Sequence, residues 1–328
     1  MKQHIPASLA ALCMLLLTAC TAQRIQPSAK GAKTVADIMA PHSQVERLVE
    51  NMQFLEGPVW DASNQRLIFS EVMTNKLHEW SAADGLAVFM EPSGYAGGNF
   101  LSREGDLLSC QGGMRRIAKL GPDKNLEILT DKWEGQKFNS PNDIVQKSDG
   151  TIWFTDPDYG LLAAYGEEAE EHREMEGHYV FRLDPAKKKV TAVCKTLSKP
   201  NGLVFSRDEK KLFVGNSDVG DRKLVLFNVR SDNTLSEPQT LRRIESKTWG
   251  IDGLKMDEWG NLYAACGDGV NIFRQNGEMI GKIDTDFEVT NLCFGGAKGN
   301  VLFLTGHTGL FCIQLKVRGK EFVRIGDK

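Results

Sequence analysis

No property of this 328-residue chain limits its architecture more than a unit that recurs six times along it. The copies are "EGPVWDASNQRLIFSEVMTN", "GGNFLSREGDLLSCQGGMRR", "SPNDIVQKSDGTIWFTDPDYG", "KPNGLVFSRDEKKLFVGNSD", "GIDGLKMDEWGNLYAACGDG" and "VTNLCFGGAKGNVLFLTGHTG". Each joins a short apolar run, a turn rich in Asp, Gly, Asn or Ser, and a second apolar run. Most continue into a weaker third run, such as "GHYVFRLD" or "KLVLFNV". Short strands split by regular turn signals indicate an all-β protein. The units start near residues 56, 99, 142, 201, 252 and 291, at intervals of 39–59 residues. That spacing suits four-stranded blades, so the chain is expected to form a six-bladed β-propeller over residues 45–328. A propeller must close its ring, and "QVERLVENM" at 44–52 is placed to lend a strand to the last blade. Long amphipathic helical patterns are missing. The acidic stretch "YGEEAEEHREMEG" at 165–177 reads as an insertion in the third unit, a loop or short helix.

In a propeller the first strand of every blade lines the central channel, so one phase of the repeat becomes one ring around the axis. Glu56, Asn99, Asn142, Asn201, Asp252 and Asn291 occupy that phase. Asn and Asp also favour turns, yet all six positions carry a side-chain oxygen and none offers sulfur or imidazole. Converging carboxylate and carbonyl oxygens suit a hard cation, Ca²⁺ best, although another divalent ion could serve. The second strand runs back to the face where the first began. Its end places Glu71 to Asn75, Gln111 to Arg116, Asp156 to Tyr159, Asn216 to Asp218, Cys266 to Asp268 and His307 on a second ring. From this ring Tyr159, Asn216 and His307 are candidate substrate contacts. His307 is its only histidine; His4, His42, His78, His172 and His178 fall in the leader, the tether or places expected to face solvent.

Composition excludes some classes. A net charge of −3 with no basic patch argues against nucleic acid. Lys2 precedes an apolar run from Ala7 to Leu17, the length of a signal peptide rather than a membrane span. It ends in Leu17-Thr18-Ala19-Cys20, which resembles a bacterial lipoprotein box, with Cys20 lipidated and first in the mature chain. Residues 1–19 are then the signal and 20–44 the lipidated Cys and tether. Membrane contact is expected through that anchor only, in the periplasm-facing cell envelope. Thr21 in place of Asp favours the outer membrane. Of seven cysteines, Cys110, Cys194, Cys266, Cys293 and Cys312 lie in or beside apolar runs and read as free thiols. No Cys-x-x-Cys or histidine cluster suggests zinc. Nothing in the sequence specifies an oligomeric state.

The motifs "EGPVW", "SPNDIV…GTIWFTDPDYG", "PNGLVFS" followed by "DEKKLFV", and "DGLKMDEWGNLYA" together resemble the SMP-30/gluconolactonase/luciferin-regenerating family over about residues 48–315. The resemblance implies a six-bladed propeller with one divalent metal, usually Ca²⁺, in its channel, and hydrolysis of a sugar lactone. By motif it assigns the metal ligands to Glu56, Asn142, Asn201 and Asp252, and leaves Asn99 and Asn291 as neighbours or substrate contacts. The chain also departs from the pattern. Bacterial members often carry Cys-Glu-His-Gly after the second strand of blade two, where this chain has Cys110-Gln111-Gly112-Gly113. Ser140 stands where animal members have Arg, in agreement with the bacterial branch.

The expected function is a Ca²⁺-dependent hydrolase that opens a sugar lactone. A calcium-bound water is less acidified than a zinc-bound one, so a nearby carboxylate matters, and Asp252 is the candidate base that takes the proton from water. Two alternatives stay open: an organophosphate or aryl ester hydrolase on the same metal, and a tethered propeller that binds a ligand without turnover.

Overall fold

The computed structural model describes residues 34–161, 172–246 and 248–322. The signal, Cys20 and most of the acidic insertion lie outside them. The regular structure of the described chain is almost entirely strand, folded into six four-stranded antiparallel sheets around a channel. The inner strands are Leu55–Asp61, Ala96–Leu101, Ile144–Gln146, Pro200–Phe205, Leu254–Met256 and Val289–Gly295. Each is followed by its blade's second and third strands through short turns, except in blade three, where the long segment holding the acidic insertion separates Asp156 from Tyr179. The fourth strands are the ones the sequence pattern does not reveal. Leu126–Thr130 and Gln239–Arg243 lie largely in solvent, so nothing forces alternation on them.

The last blade closes as expected. Glu46–Glu50 pairs antiparallel with Gly309–Gln314, Arg47 opposite Phe311 and Glu50 opposite Gly309. The first and last parts of the chain thus share one sheet, which leaves no open edge between them.

Middle strands are apolar on both faces because blades stack on one another. Between blades three and four, Trp153, Leu203, Phe205, Val214 and Phe227 form one core cluster. Between blades two and three, Phe138 packs edge-on to Phe154 and Phe181, both at 5.2 Å between centroids. Burying each such ring contributes about 1.5–3 kcal/mol.

Two segments depart from expectation. Residues 34–39 were expected within the tether but are docked. Val35–Ile38 is a single helical turn capped by Thr34, whose N–H donates to Asp37 Oδ2 at 3.0 Å. Ile38 is fully buried in the core of blades five and six, and its carbonyl accepts from Lys316 N at 2.8 Å. The segment Leu315–Phe322 then crosses the far ends of the inner strands. There Gly319 bridges Asp257, and Arg318 pairs with Glu258 at 2.9 Å. His78, expected in solvent, is buried against Glu71, with Nε2 2.9 Å from Oε2. Cys110, Cys194, Cys266 and Cys293 are buried free thiols.

Candidate active site

The channel mouth is built by one device repeated around the axis. Strand pairing breaks register between Glu56 and Val59, Ala96 and Asn99, Pro200 and Leu203, and Val289 and Asn291. In blades three and five, regular pairing begins only after Asn142 and Asp252, at Ile144 and Leu254. A bulge turns a strand's side chains off the pleat. At this phase it frees each inner strand to bond its neighbour instead. Asn99 Nδ2 reaches Gly57 O at 3.0 Å, and Gly98 N reaches Asn142 O at 2.6 Å. Leu203 N donates to Asp143 Oδ2 at 3.3 Å. Gly202 N reaches Asp252 O at 2.8 Å, and Gly253 N reaches Thr290 O at 2.9 Å. Thr290 Oγ1 donates to Leu55 O and closes the circle. Glycine is required here: a Cβ on Gly202 would lie 2.1 Å from Asp252 O.

Inside this circle lies a pocket of about 150 Å³. Glu56, Asn142, Asn201 and Asp252 form its polar floor, and Phe54, Tyr95, Tyr159 and Trp249 line its walls. Glu56 is buried; its Oε2 accepts from Gly57 N at 3.0 Å and from Asn291 Nδ2 at 2.9 Å. Burial pushes its carboxyl up to about 7, against those two hydrogen bonds. Asp252 is also raised well above the usual carboxylate range, by burial first and then by the charge of Glu56, with Asn201 as the opposing hydrogen-bond partner.

Two further charged groups share the channel. Asp143 is buried, and accepts from Ile144 N at 2.9 Å and from Leu203 N; burial raises its pKa, and Lys255 pulls it back. The charge of Lys255 also lowers the pKa of Glu56. When all are ionised, three carboxylates against one ammonium leave two negative charges. Among the described residues no three His, Cys, Asp or Glu side chains converge on a point a metal could occupy, so any ion here takes amide oxygens as well.

The structure therefore brings together Glu56, Asn142, Asn201 and Asp252, and places Tyr159 in the wall, with Lys199 Nζ 5.2 Å from its ring centre. Three expected substrate contacts lie elsewhere. Asn99 is buried in the blade one–two junction, where it also donates to Ser70 Oγ at 2.9 Å. Asn216 is fully buried and spends its amide on loops: Oδ1 accepts from Lys199 N at 2.8 Å, and Nδ2 donates to Ser198 Oγ at 3.0 Å and Asp221 O at 2.8 Å. His307 sits behind the wall, stacked on Trp249 at 4.9 Å and tilted against Phe54 at 4.7 Å, with Nδ1 3.4 Å from Glu288 Oε2. Asp143, Lys255, Tyr95 and Trp249 were missed. Asp143 adjoins Asn142 in the Pro-Asn-Asp turn and could have been suspected; Tyr95 and Trp249 lie in connecting loops that carry no periodic signal.

The sequence pattern described as the SMP-30/Gluconolactonase/LRE-like region matches residues 54–308. A gluconolactonase of Zymomonas mobilis is 32% identical over 308 residues, which span 87% of this chain and 84% of that one. A solved gluconolactonase of Xanthomonas campestris superposes with a TM-score of 0.79 at 28% identity, covering 90% of this chain and 96% of that one. The structure of a calcium-binding regucalcin of Agrobacterium tumefaciens gives 0.68 at 18% identity, covering 84% and 95%, a likeness of fold alone.

Proposed function

Because the chain belongs to the SMP-30/Gluconolactonase/LRE-like family, we propose that its channel mouth is a lactonase centre that opens a sugar lactone at a bound divalent cation, with Ca²⁺ the fitting ion. The observation that carries this reading is the floor itself, two carboxylates and two carboxamides facing one pocket. Hard oxygen donors of mixed charge suit Ca²⁺, and the two surplus negative charges of the channel equal the charge of the ion. Glu56, Asn142, Asn201 and Asp252 would hold it. Bound there, it supplies Lewis-acid polarisation of the lactone carbonyl and charge stabilisation of the developing oxyanion.

The chain's own groups do the rest. Asp252 takes the proton from the attacking water, since its carboxylate lines the pocket where that water and the lactone carbonyl would meet. Asn291 fixes the rotamer of Glu56 through Oε2. The aromatic walls limit water around the reacting carbonyl. The name of the Zymomonas mobilis relative agrees with an aldonolactone substrate. The proposal extends to location: with Cys20 lipidated, the propeller works tethered in the cell envelope.

The test is hydrolysis of D-glucono-1,5-lactone by chelator-treated protein, with and without Ca²⁺ restored. Activity is expected only with the cation, and Asp252→Asn should lose about 10²–10⁴-fold in kcat. Full activity in chelator, or an unimpaired Asp252→Asn, would sink the reading. Activity confined to aryl esters would select the ester-hydrolase alternative. Binding without turnover would select a tethered binder.

A further inference from the structure

The second blade's wall holds a bare position. Gln111 and Gly113 end the strand that returns to the pocket, yet neither offers a polar group to it. The amide of Gln111 is committed on both sides: Nε2 donates to Ser93 O at 2.8 Å, and Oε1 accepts from Arg116 Nε at 2.6 Å. Gly113 has no side chain, and its surface is covered by Tyr95. A Cβ placed on Gly113 would lie 2.7 Å from Cδ2 and 2.9 Å from Cγ of that ring. Tyr95 lines the pocket, and no described residue hydrogen-bonds its hydroxyl.

The chain holds Tyr95 there against its backbone preference. Its φ is +52°, in the left-handed region that a residue with a Cβ seldom adopts. Asn75 imposes this geometry, accepting from Tyr95 N at 2.7 Å and from Ser93 Oγ at 3.2 Å through one carboxamide oxygen. Asn75 O also accepts from Ser93 N at 2.9 Å. A strained residue held by several bonds, with its ring against the site and its polar atom free, is the pattern of a residue placed for a ligand.

We propose that Tyr95 is a specificity-determining substrate contact: its ring packs on one face of a hydroxylated five- or six-membered lactone, and its phenol hydroxyl hydrogen-bonds a ring hydroxyl. Gly113 is its positioning partner, since only a residue without a Cβ lets the ring lie in that place. A phenol suits such a ligand, being apolar across its face and polar at its tip. The proposal rests on the lactonase reading.

The test is a double-mutant cycle on D-glucono-1,5-lactone, with thermal melting as a check on folding. Tyr95→Phe should raise KM about 3–10-fold with little change in kcat, the effect of one neutral hydrogen bond. Tyr95→Ala should raise it further. Gly113→Ala should resemble Tyr95→Ala by displacing the ring, and should add nothing in the Tyr95→Ala background. A lactone lacking the ring hydroxyls should be indifferent to Tyr95→Phe. Unchanged KM in both tyrosine variants of an active enzyme, or additive effects of the two sites, overturns the assignment alone. If wild type opens no lactone, the lactonase reading has failed, and the same variants are titrated with D-gluconate by calorimetry. Weaker gluconate binding by Tyr95→Phe and Tyr95→Ala then supports the contact, and equal or absent binding overturns it.

Discussion

Asn142 and Asn216 carry the same side chain at the pocket end of neighbouring blades, and their surroundings give them different work. Asn142 precedes a strand whose pairing has not yet begun, so its side chain is left to the pocket while its main chain bonds Thr155 and Gly98. Asn216 ends a strand beside two loops whose N–H and C=O groups need partners, and its amide satisfies them. Among the carboxylates the decisive fact is crowding. Burial raises Glu56 to about 7 from 4.5, and raises Asp252 well above its ordinary value. A group raised in the folded state keeps its proton while the unfolded chain has lost it. The cation-free protein is therefore favoured at low pH and loses that stability as pH rises through about 7. A cation must displace the same protons, so its affinity should weaken by up to about tenfold per pH unit for each proton released as pH falls below 7. The rise in Tm on adding Ca²⁺ should be larger at pH 8 than at pH 5, and Glu56→Gln should remove most of the rise. An equal rise at both pH values would show that these carboxylates do not hold the ion.

The inner strand is the element that makes the site, through its irregularity rather than its regularity. Four of the six break register at the ring position, and the other two begin pairing after it. Each break gives up ladder bonds within a blade and makes bonds between blades. Close approach of neighbouring backbones is what those bonds need, and Gly202 meets Asp252 O in that way. Gly202→Ala should cost about 1–3 kcal/mol in stability through overpacking, and should weaken Ca²⁺ binding by moving Asp252. Gly220→Ala is the control, since a Cβ there meets nothing nearer than 3.8 Å. Equal melting and calcium titration curves for the two variants would refute a role for the blade four–five junction in shaping the floor.

At the scale of the molecule, both ends of the described chain meet on the face opposite the pocket. Ile38 and Lys316 are bonded there, and Gly319 and Arg318 cross the ends of the inner strands at Asp257 and Glu258. Cys20 precedes Thr34 by 14 residues, a reach of at most about 50 Å when fully extended. A lipid on Cys20 would tether the propeller through the face opposite the pocket. No helix among the described residues is long and apolar enough to cross a membrane. Wild type should partition into detergent, and Cys20→Ser should move it to the aqueous phase. Recovery of wild type wholly in the aqueous phase would refute the anchor.

The six-bladed ring, its closure by residues 46–50 and the phase that carries the floor were legible in the sequence. They depend on local rules: apolar alternation, turn chemistry at fixed offsets, and the symmetry that turns equal phases into one ring. That phase held six oxygen-bearing positions, and the family resemblance singled out Glu56, Asn142, Asn201 and Asp252 among them. Tertiary structure alone decided which of the ring's other polar groups serve the pocket. Asn99 donates to Gly57, 42 positions away, and Asn291 to Glu56, 235 away. No local pattern encodes such pairings, because they arise only when non-adjacent turns meet around the axis. The same holds for Tyr95 over Gly113, for His307 behind Trp249, and for His78, whose strand looks half-exposed until Glu71 turns to meet it. Strand position is written locally; the partner a polar side chain finds is set by the packing of distant segments, which no local pattern of residues specifies.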